Sequence, residues 1–400
     1  MLRVNTVASA VLVVVACGDG PTDSIRSEIT EVGDTTVVTT RGAPVAVRID
    51  SVGVIWRSPE LENPRALLAA GDRLVVADPT RLHILSAAGE RVRSVGRAGA
   101  GPGEFGSIAA LGLLGPDTVA VHDVRHQRIS LFTPAGEYIG LVRVTPSPPY
   151  VNPEGSLFVA HRGGVVSLWG ENIHTDRPTR TALLWRDLAA DTVVVLARWD
   201  GERYEEHAGR LIAPDRLFGP RVIAALTPDG HAAVGDGVEY CVHVRPLAGG
   251  VFRRACRTRA PVPVGDAVRD PDLSRIEDES RREALANIVR EQEIGDRLPS
   301  FDRLLFDGDG RLWVRTLGPE SADLHPYLLR DMPEREPAYR TWDVFDAVGR
   351  LTGAVEVPSS FEPQAVASGR MIGFLELPSG EITIGAVPVP LAEATRDSGR

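Results

Sequence analysis

The sequence predicts an all-β fold: a six-bladed β-propeller with four-stranded antiparallel blades, closed by an N-terminal strand and carrying a short helical insertion. Three observations predict it. One strand pattern recurs six times along the chain, glycine turns follow some of its copies, and the shorter distances between copies suit one blade each.

The recurring pattern is a polar turn followed by alternating small and apolar residues, usually closed by a polar one. It occurs as GDRLVVAD (71–78), PDTVAVHD (116–123), EGSLFVAH (154–161), DGHAAVGD (229–236), DGRLWVRT (309–316) and SGRMIGFLE (368–376). A second pattern, LSAAGERV (85–92), FTPAGEYI (132–139) and FDAVGRLT (345–352), places a turn glycine between two strand-like segments. Glycine turns between runs of period two are hairpin signals, so each unit is an antiparallel meander.

The third and fourth copies, and the fourth and fifth, stand too far apart for one blade each and must hold insertions. Residues 163–181 are expected to supply one. Residues 265–299 supply another, which reads as helical because Leu273, Ile276, Ala284, Leu285, Ile288 and Val289 fall near helical spacing with charge between them. This insertion lies between blades four and five, where it would act as a lid, a partner site or decoration. The last unit has only three strands, so the early segment Val45 to Trp56 is expected to supply its missing outer strand and remove an exposed edge.

Met1 to Ala16 reads as an export signal, with Arg3 as its basic region and an apolar run too short to span a bilayer. The signal ends in VVAC, which resembles the bacterial lipobox. That resemblance implies acylation of Cys17 and a lipid-anchored protein of the cell envelope, at the outer membrane or the periplasmic face. The other reading is a soluble secreted protein. The expected organisation is a signal peptide over 1–16, a tether over 17–43, the propeller over 44–392 and a disordered tail over 393–400.

The chain carries a net charge of −10. This argues against nucleic acid as a partner and confines membrane contact to the lipid anchor. All 44 basic residues other than histidine are arginine. Without lysine there is no Schiff-base chemistry, no lysine general base and no Walker-type phosphate loop.

The stretch GRAGAGPGEF (96–105) falls between the outer strand of the first blade and the inner strand of the second. Its glycines do not match a dinucleotide fingerprint, because Glu104 stands where the third glycine should be. It reads as a structural seam: Gly99, Gly101, Pro102 and Gly103 turn the chain from rim to axis, and Phe105 plugs the gap between blades. This seam and the VVAD and WVRT strands resemble the six-bladed propellers of the NHL-like class. They are most similar to exported propeller proteins of high-GC bacteria that carry a GPGEF seam and a DG-R-LWV strand. The resemblance covers roughly residues 44 to 390 and implies a fold; the architecture hosts binding modules, lactonases and lyases alike.

Cys241 and Cys256 are symmetric about a turn centred between Ala248 and Gly249, which would set them opposite each other on adjacent strands at a distance a disulfide accepts. An exported protein meets oxidising conditions. The alternative is a pair of reduced thiols, and a bulge in the hairpin would point the sulfurs to opposite faces.

The repeat strands end in Asp78, Asp123, His161, Asp236 and Thr316. If these converge at a channel mouth, they form a ring of hard oxygen ligands and one imidazole, able to hold Ca2+ or to act as acid and base. The structural alternative is that the aspartates bond turn backbone or a nearby arginine, with Arg81 and Arg128 placed for Asp78 and Asp123. The sequence contains no HExxH, GxSxG or CxxC. No catalytic set or cofactor is therefore expected, and the favoured function is a tethered, monomeric binding module for a protein, peptide or glycan. The alternative is a metal-dependent lactonase-like or esterase-like hydrolase, or a lyase, using the channel acids.

Overall fold

Strands such as Leu74-Val75-Val76-Ala77 bear apolar side chains on both faces, so they are stable only where both faces are covered. The computed structural model meets that demand with a ring of six sheets. It describes residues 25–389, apart from 62, 145–149, 162–163, 172–177, 188–191, 204, 208–209, 213–216, 220–221, 228–229, 248–250, 292 and 325–335. Blade I runs Ala66–Ala70, Arg73–Asp78, Arg81–Ser86 and Arg91–Val95. Blade II runs Ile108–Leu113, Val119–Asp123, Arg128–Phe132 and Tyr138–Arg143. Blade III spans Tyr150–His161 to Val193–Arg203, blade IV Ile223–Leu226 to Phe252–Arg257, and blade V Phe301–Phe306 to Leu351–Pro358. Blade VI takes Phe361–Ala367, Arg370–Glu376 and Ile382–Pro388 from the end of the chain. The first strand of each blade neighbours the first strands of the blades on either side, and blade VI meets blade I, so the ring is closed.

Each gap between blades is filled by its own apolar cluster. In the second strand of blade I, Val75 and Ala77 face blade II while Leu74 and Val76 face blade VI. In blade V, Leu312 and Val314 face blade IV while Trp313 packs against blade VI. Period-two alternation thus distributes one strand between two cores.

The N-terminal segment completes three blades rather than one. Gly53–Trp56 pairs antiparallel with Ile382–Pro388 and supplies the fourth strand of blade VI, and Trp56 is buried there. Ala46–Arg48 instead adds a parallel fifth strand to blade V. Residues 26–41, expected to be part of a tether, form a hairpin of Arg26–Val32 and Thr35–Arg41. Its second strand lies parallel to Phe252–Arg257 and extends blade IV to six strands. A polar, threonine-rich strand reads as a tether in sequence, but it satisfies the open backbone edge of blade IV.

Blade III corrects two further expectations. Residues 163–181 are not an insertion: they contain Gly164–Glu171 and the start of Pro178–Asp187, the second and third strands of the blade. The extra length lies in long strands and in a separate hairpin, Glu205–His207 with Arg210–Ile212, ahead of blade IV. EGSLFVAH falls on the first strand of its blade, whereas the other five copies fall on second strands. The pattern of small and apolar residues marks a strand enclosed on both sides, and both inner strands of a blade meet that description.

The insertion after blade IV holds helices Asp266–Arg269 and Glu279–Glu291. Among the described residues, no helix is long and apolar enough to cross a membrane. Cys241 and Cys256 pair directly across the last hairpin of blade IV, with Cα atoms 4.1 Å apart, and form a disulfide. Closing a loop of 15 residues by this bond should stabilise the fold by about 3 kcal/mol. The double variant Cys241→Ala/Cys256→Ala is expected to lose about 2–3 kcal/mol in urea unfolding under non-reducing conditions. Equal midpoints for variant and parent would remove the disulfide from the account of stability.

Candidate functional site

Second strands end on the face of the ring where one blade connects to the next, here the seam face; the hairpin turns between first and second strands lie on the opposite face. Asp78, Asp123, Asp236 and Thr316 therefore share the seam face. His161, at the end of a first strand, lies at the other. The ring of five expected from the sequence is not assembled, because the repeat in blade III is displaced by one strand.

Asp123 is fully buried and organises the entry to its own blade. Its carboxylate accepts the backbone N–H groups of Gly106 and Ser107, both at 3.0 Å, and lies 2.7 Å from His126 Nδ1 and 3.4 Å from Arg128 Nε. Burial alone would raise this carboxyl, but the donors from Gly106, Ser107 and His126 outweigh it and hold it below its usual range.

Arg128 extends the same network into the seam. It donates to the carbonyls of Ala100 at 2.7 Å, Gly101 at 3.3 Å and Glu104 at 2.5 Å. Glu104 closes the loop from inside, accepting from Gly101 N–H at 2.8 Å and Arg97 Nε at 2.8 Å. Gly99 has φ +153° and Gly103 φ +71°, backbone conformations that side-chain-bearing residues adopt only with strain, so both positions favour glycine. Pro102 lies exposed at the tip. Phe105 is fully buried among side chains of blades I and II, 5.9 Å from the ring of Phe132.

Asp78 is also engaged locally, although not by Arg81. It accepts Asn63 N–H at 3.2 Å and meets the buried His83 Nε2 at 3.2 Å, while His83 Nδ1 contacts Ser94 Oγ at 3.0 Å. Arg81 pairs with Glu60 at 3.5 Å instead. Asp236 is exposed and accepts Val238 N–H at 3.0 Å, a local Asx turn. The buried Thr316 reaches the Thr341 carbonyl at 3.5 Å. Among the described residues, no three His, Cys, Asp or Glu side chains are grouped to hold a metal ion. Cys17 lies outside the described residues.

Sequence reading missed two charged groups. On the seam face between blades V and VI, Glu362 binds Arg303, Arg315 and Arg340, Arg315 also pairs with Asp302 at 2.6 Å, and Arg340 pairs with Glu336. Between blades IV and V, Tyr240 and Arg257 both donate to the fully buried Asp343. Burial and the neighbouring anion push the Tyr240 phenol well above its usual range and keep it protonated. These pairings join residues as much as 103 positions apart, and no local motif announces them. The helical insertion packs Val264, Val268 and Leu298 against Leu217, ahead of blade IV, and Leu317 after the second strand of blade V. It therefore roofs the seam face over these blades.

This architecture defines the chain as a six-bladed β-propeller, all-β apart from the insertion. No protein-family model matches it, and no curated protein is detectably similar. Among solved structures it is similar to a member of the duf4221 family from Bacteroides vulgatus, at 11% identity over 80% of this chain and 90% of that one, with a TM-score of 0.50. Similarity also extends to a Bacteroides fragilis protein named as exported, at 10% identity, 85% and 88% coverage and a TM-score of 0.46. A third is regucalcin, a calcium-binding protein from Agrobacterium tumefaciens, at 12% identity, 86% and 96% coverage and a TM-score of 0.39. At such identities the likeness is one of fold.

Two outcomes test the seam. Phe105→Ala should destabilise the fold by about 3–5 kcal/mol, read from denaturant unfolding. Because the folded Asp123 carboxyl titrates below its unfolded value, its stabilisation is present above about pH 4 and is lost as pH falls through the folded value. The stability gap between the parent and Asp123→Asn should therefore be widest near neutrality and shrink in acid. A gap independent of pH would contradict the assigned network.

Proposed function

We propose that the protein is an exported propeller of the NHL-like class, lipid-anchored to the bacterial envelope through Cys17, that binds a protein, peptide or glycan outside the cytoplasm and acts as a monomer. One observation carries the choice of binding over hydrolysis: Asp78 and Asp123 are engaged in holding their own blades, and His161 lies at the opposite face. Acids bonded to seam backbone cannot turn toward a substrate without opening the blade they hold. The disulfide of blade IV favours an oxidising compartment, and a closed ring leaves no blade face uncovered for a second copy to bury.

The competing reading, a metal-dependent hydrolase or lyase with Ca2+ or another ion at the channel mouth, is tested on the same preparation. The full chain purified without chelator should hold no stoichiometric divalent ion and show no lactone or aryl-ester hydrolysis that Asp123→Asn abolishes. A stoichiometric ion lost together with hydrolysis in that variant would overturn the binding reading. Cys17→Ser should move the protein from the membrane fraction to the soluble fraction and abolish incorporation of labelled palmitate. An unchanged distribution would remove the lipid anchor.

A further inference from the structure

Away from the seam, on the opposite face, a cavity of about 200 Å3 opens between blades IV and V. Its floor includes Val244 of blade IV with Leu312 and Phe345 of blade V, the last two fully enclosed in the interblade core. One charged side chain enters from the blade IV side. Arg253 stands opposite Val244 in the last hairpin of the blade and opposite Thr36 of the N-terminal strand Thr35–Arg41. It therefore sits inside a six-stranded sheet, on a backbone bonded from both sides.

The Arg253 guanidinium is half-buried, and among the described residues it has no hydrogen-bond or ion-pair partner. Nearby acids are engaged elsewhere: Glu239 pairs with Arg254 at 3.6 Å, and Glu31 accepts from Thr36 at 2.8 Å. On the blade V side, two turns present carboxylates to the same cavity. Asp346 Oδ1 accepts the N–H groups of Val348, Gly349 and Arg350, and among the described residues Oδ2 has no partner. Asp309 binds Arg311 through Oδ2 and leaves Oδ1. The cavity thus offers a planar cationic fork on one wall, anionic acceptors on the other and an apolar floor between them.

We propose that this cavity binds a single apolar amino-acid unit bearing a free α-carboxylate, with the carboxylate on the Arg253 fork, the adjacent N–H donor on Asp346 or Asp309, and the side chain on the apolar floor. Guanidinium and carboxylate match in a bidentate pair, and an N–H group next to the carboxylate complements the acidic wall. A purely anionic ligand would meet Asp346 unpaired, and a purely cationic one would meet Arg253. The volume sets the size: it is several times the roughly 30 Å3 share of a water molecule and below the range of about 300–1,000 Å3 usual for drug-sized ligands. One residue fills it, and a longer segment would extend beyond it. The same chemistry comes from two sources, a free amino acid and the C-terminal residue of a peptide.

The inference rests on the binding reading but fails separately from it: ester hydrolysis dependent on Asp123 would sink that reading, whereas ligand titration concerns the cavity alone. Calorimetric titration of the full, disulfide-intact chain with N-acetyl-alanyl-leucine and with its C-terminal amide separates the carboxylate from the rest of the ligand. The acid is expected to bind at least tenfold more tightly than the amide. Arg253→Gln should lose that preference, Arg253→Lys should keep part of it, and Arg254→Gln should leave it unchanged. Free leucine binding as tightly as the acetylated dipeptide identifies the source as an amino acid, and a dipeptide at least tenfold tighter identifies a peptide terminus. Equal affinities for acid and amide, or no binding of any probe at low-millimolar concentration, would overturn the proposal. The comparison of acid with amide uses the unmodified chain, so it stands even where a variant fails to fold.

Discussion

The structure depends on a single constraint, the covering of central strands that are apolar on both faces. Val75 and Val76 are adjacent residues that serve two different cores, one shared with blade II and one with blade VI. No blade can bury its own faces, so each requires both neighbours, and a line of blades would leave two apolar faces in water. Closing the ring removes both. The chain makes the closure with Gly53–Trp56 from its beginning and Ile382–Pro388 from its end, so the last blade is complete only when the termini have met.

Once the faces are covered, the remaining cost lies in backbone that must turn from the rim to the axis between blades. Buried peptide groups there need partners, and the end of the second strand and the start of the third supply them. Asp123 accepts two seam N–H groups, while Arg128 donates to three seam carbonyls. The guanidinium fork can hold three acceptors in nearly one plane, which an ammonium cannot do in fixed geometry. A chain whose only strong cation is arginine therefore uses it as a structural donor as well as a charge. Asp78, which accepts Asn63 N–H, plays the same part as Asp123 at its own strand end.

The N-terminal strands add a second effect. By pairing in parallel with the outer strands of blades IV and V, Thr35–Arg41 and Ala46–Arg48 turn two sheet edges into sheet interiors. The outer strand of blade IV then carries the disulfide, Arg257 bound to Asp343, and Arg253 at the cavity. The sector between blades IV and V is thus fixed by a covalent bond and a buried ion pair, beneath the roof of the insertion on the seam face. A rigid backbone of this kind is what a small, shaped binding cavity requires.

Several features follow from local periodicity alone. Repeated small-apolar strands between glycine turns define blades, three strands at the end of the chain demand a fourth from its beginning, and the symmetry of Cys241 and Cys256 about their turn sets them in register. Which strand of a blade each copy occupies depends on the packing of the blades. EGSLFVAH and DGRLWVRT are alike as strings, yet one is a first strand and the other a second, because enclosure on both sides leaves the same alternation in either place. That difference of one strand carries His161 to the face opposite Asp123. The partners of Arg81, Asp343 and Glu362, and the free fork of Arg253, were likewise decided by which blades came to lie side by side. Hydrogen bonds and ion pairs act over a few ångströms, and the separations along the chain that they bridge leave no period for a sequence to show.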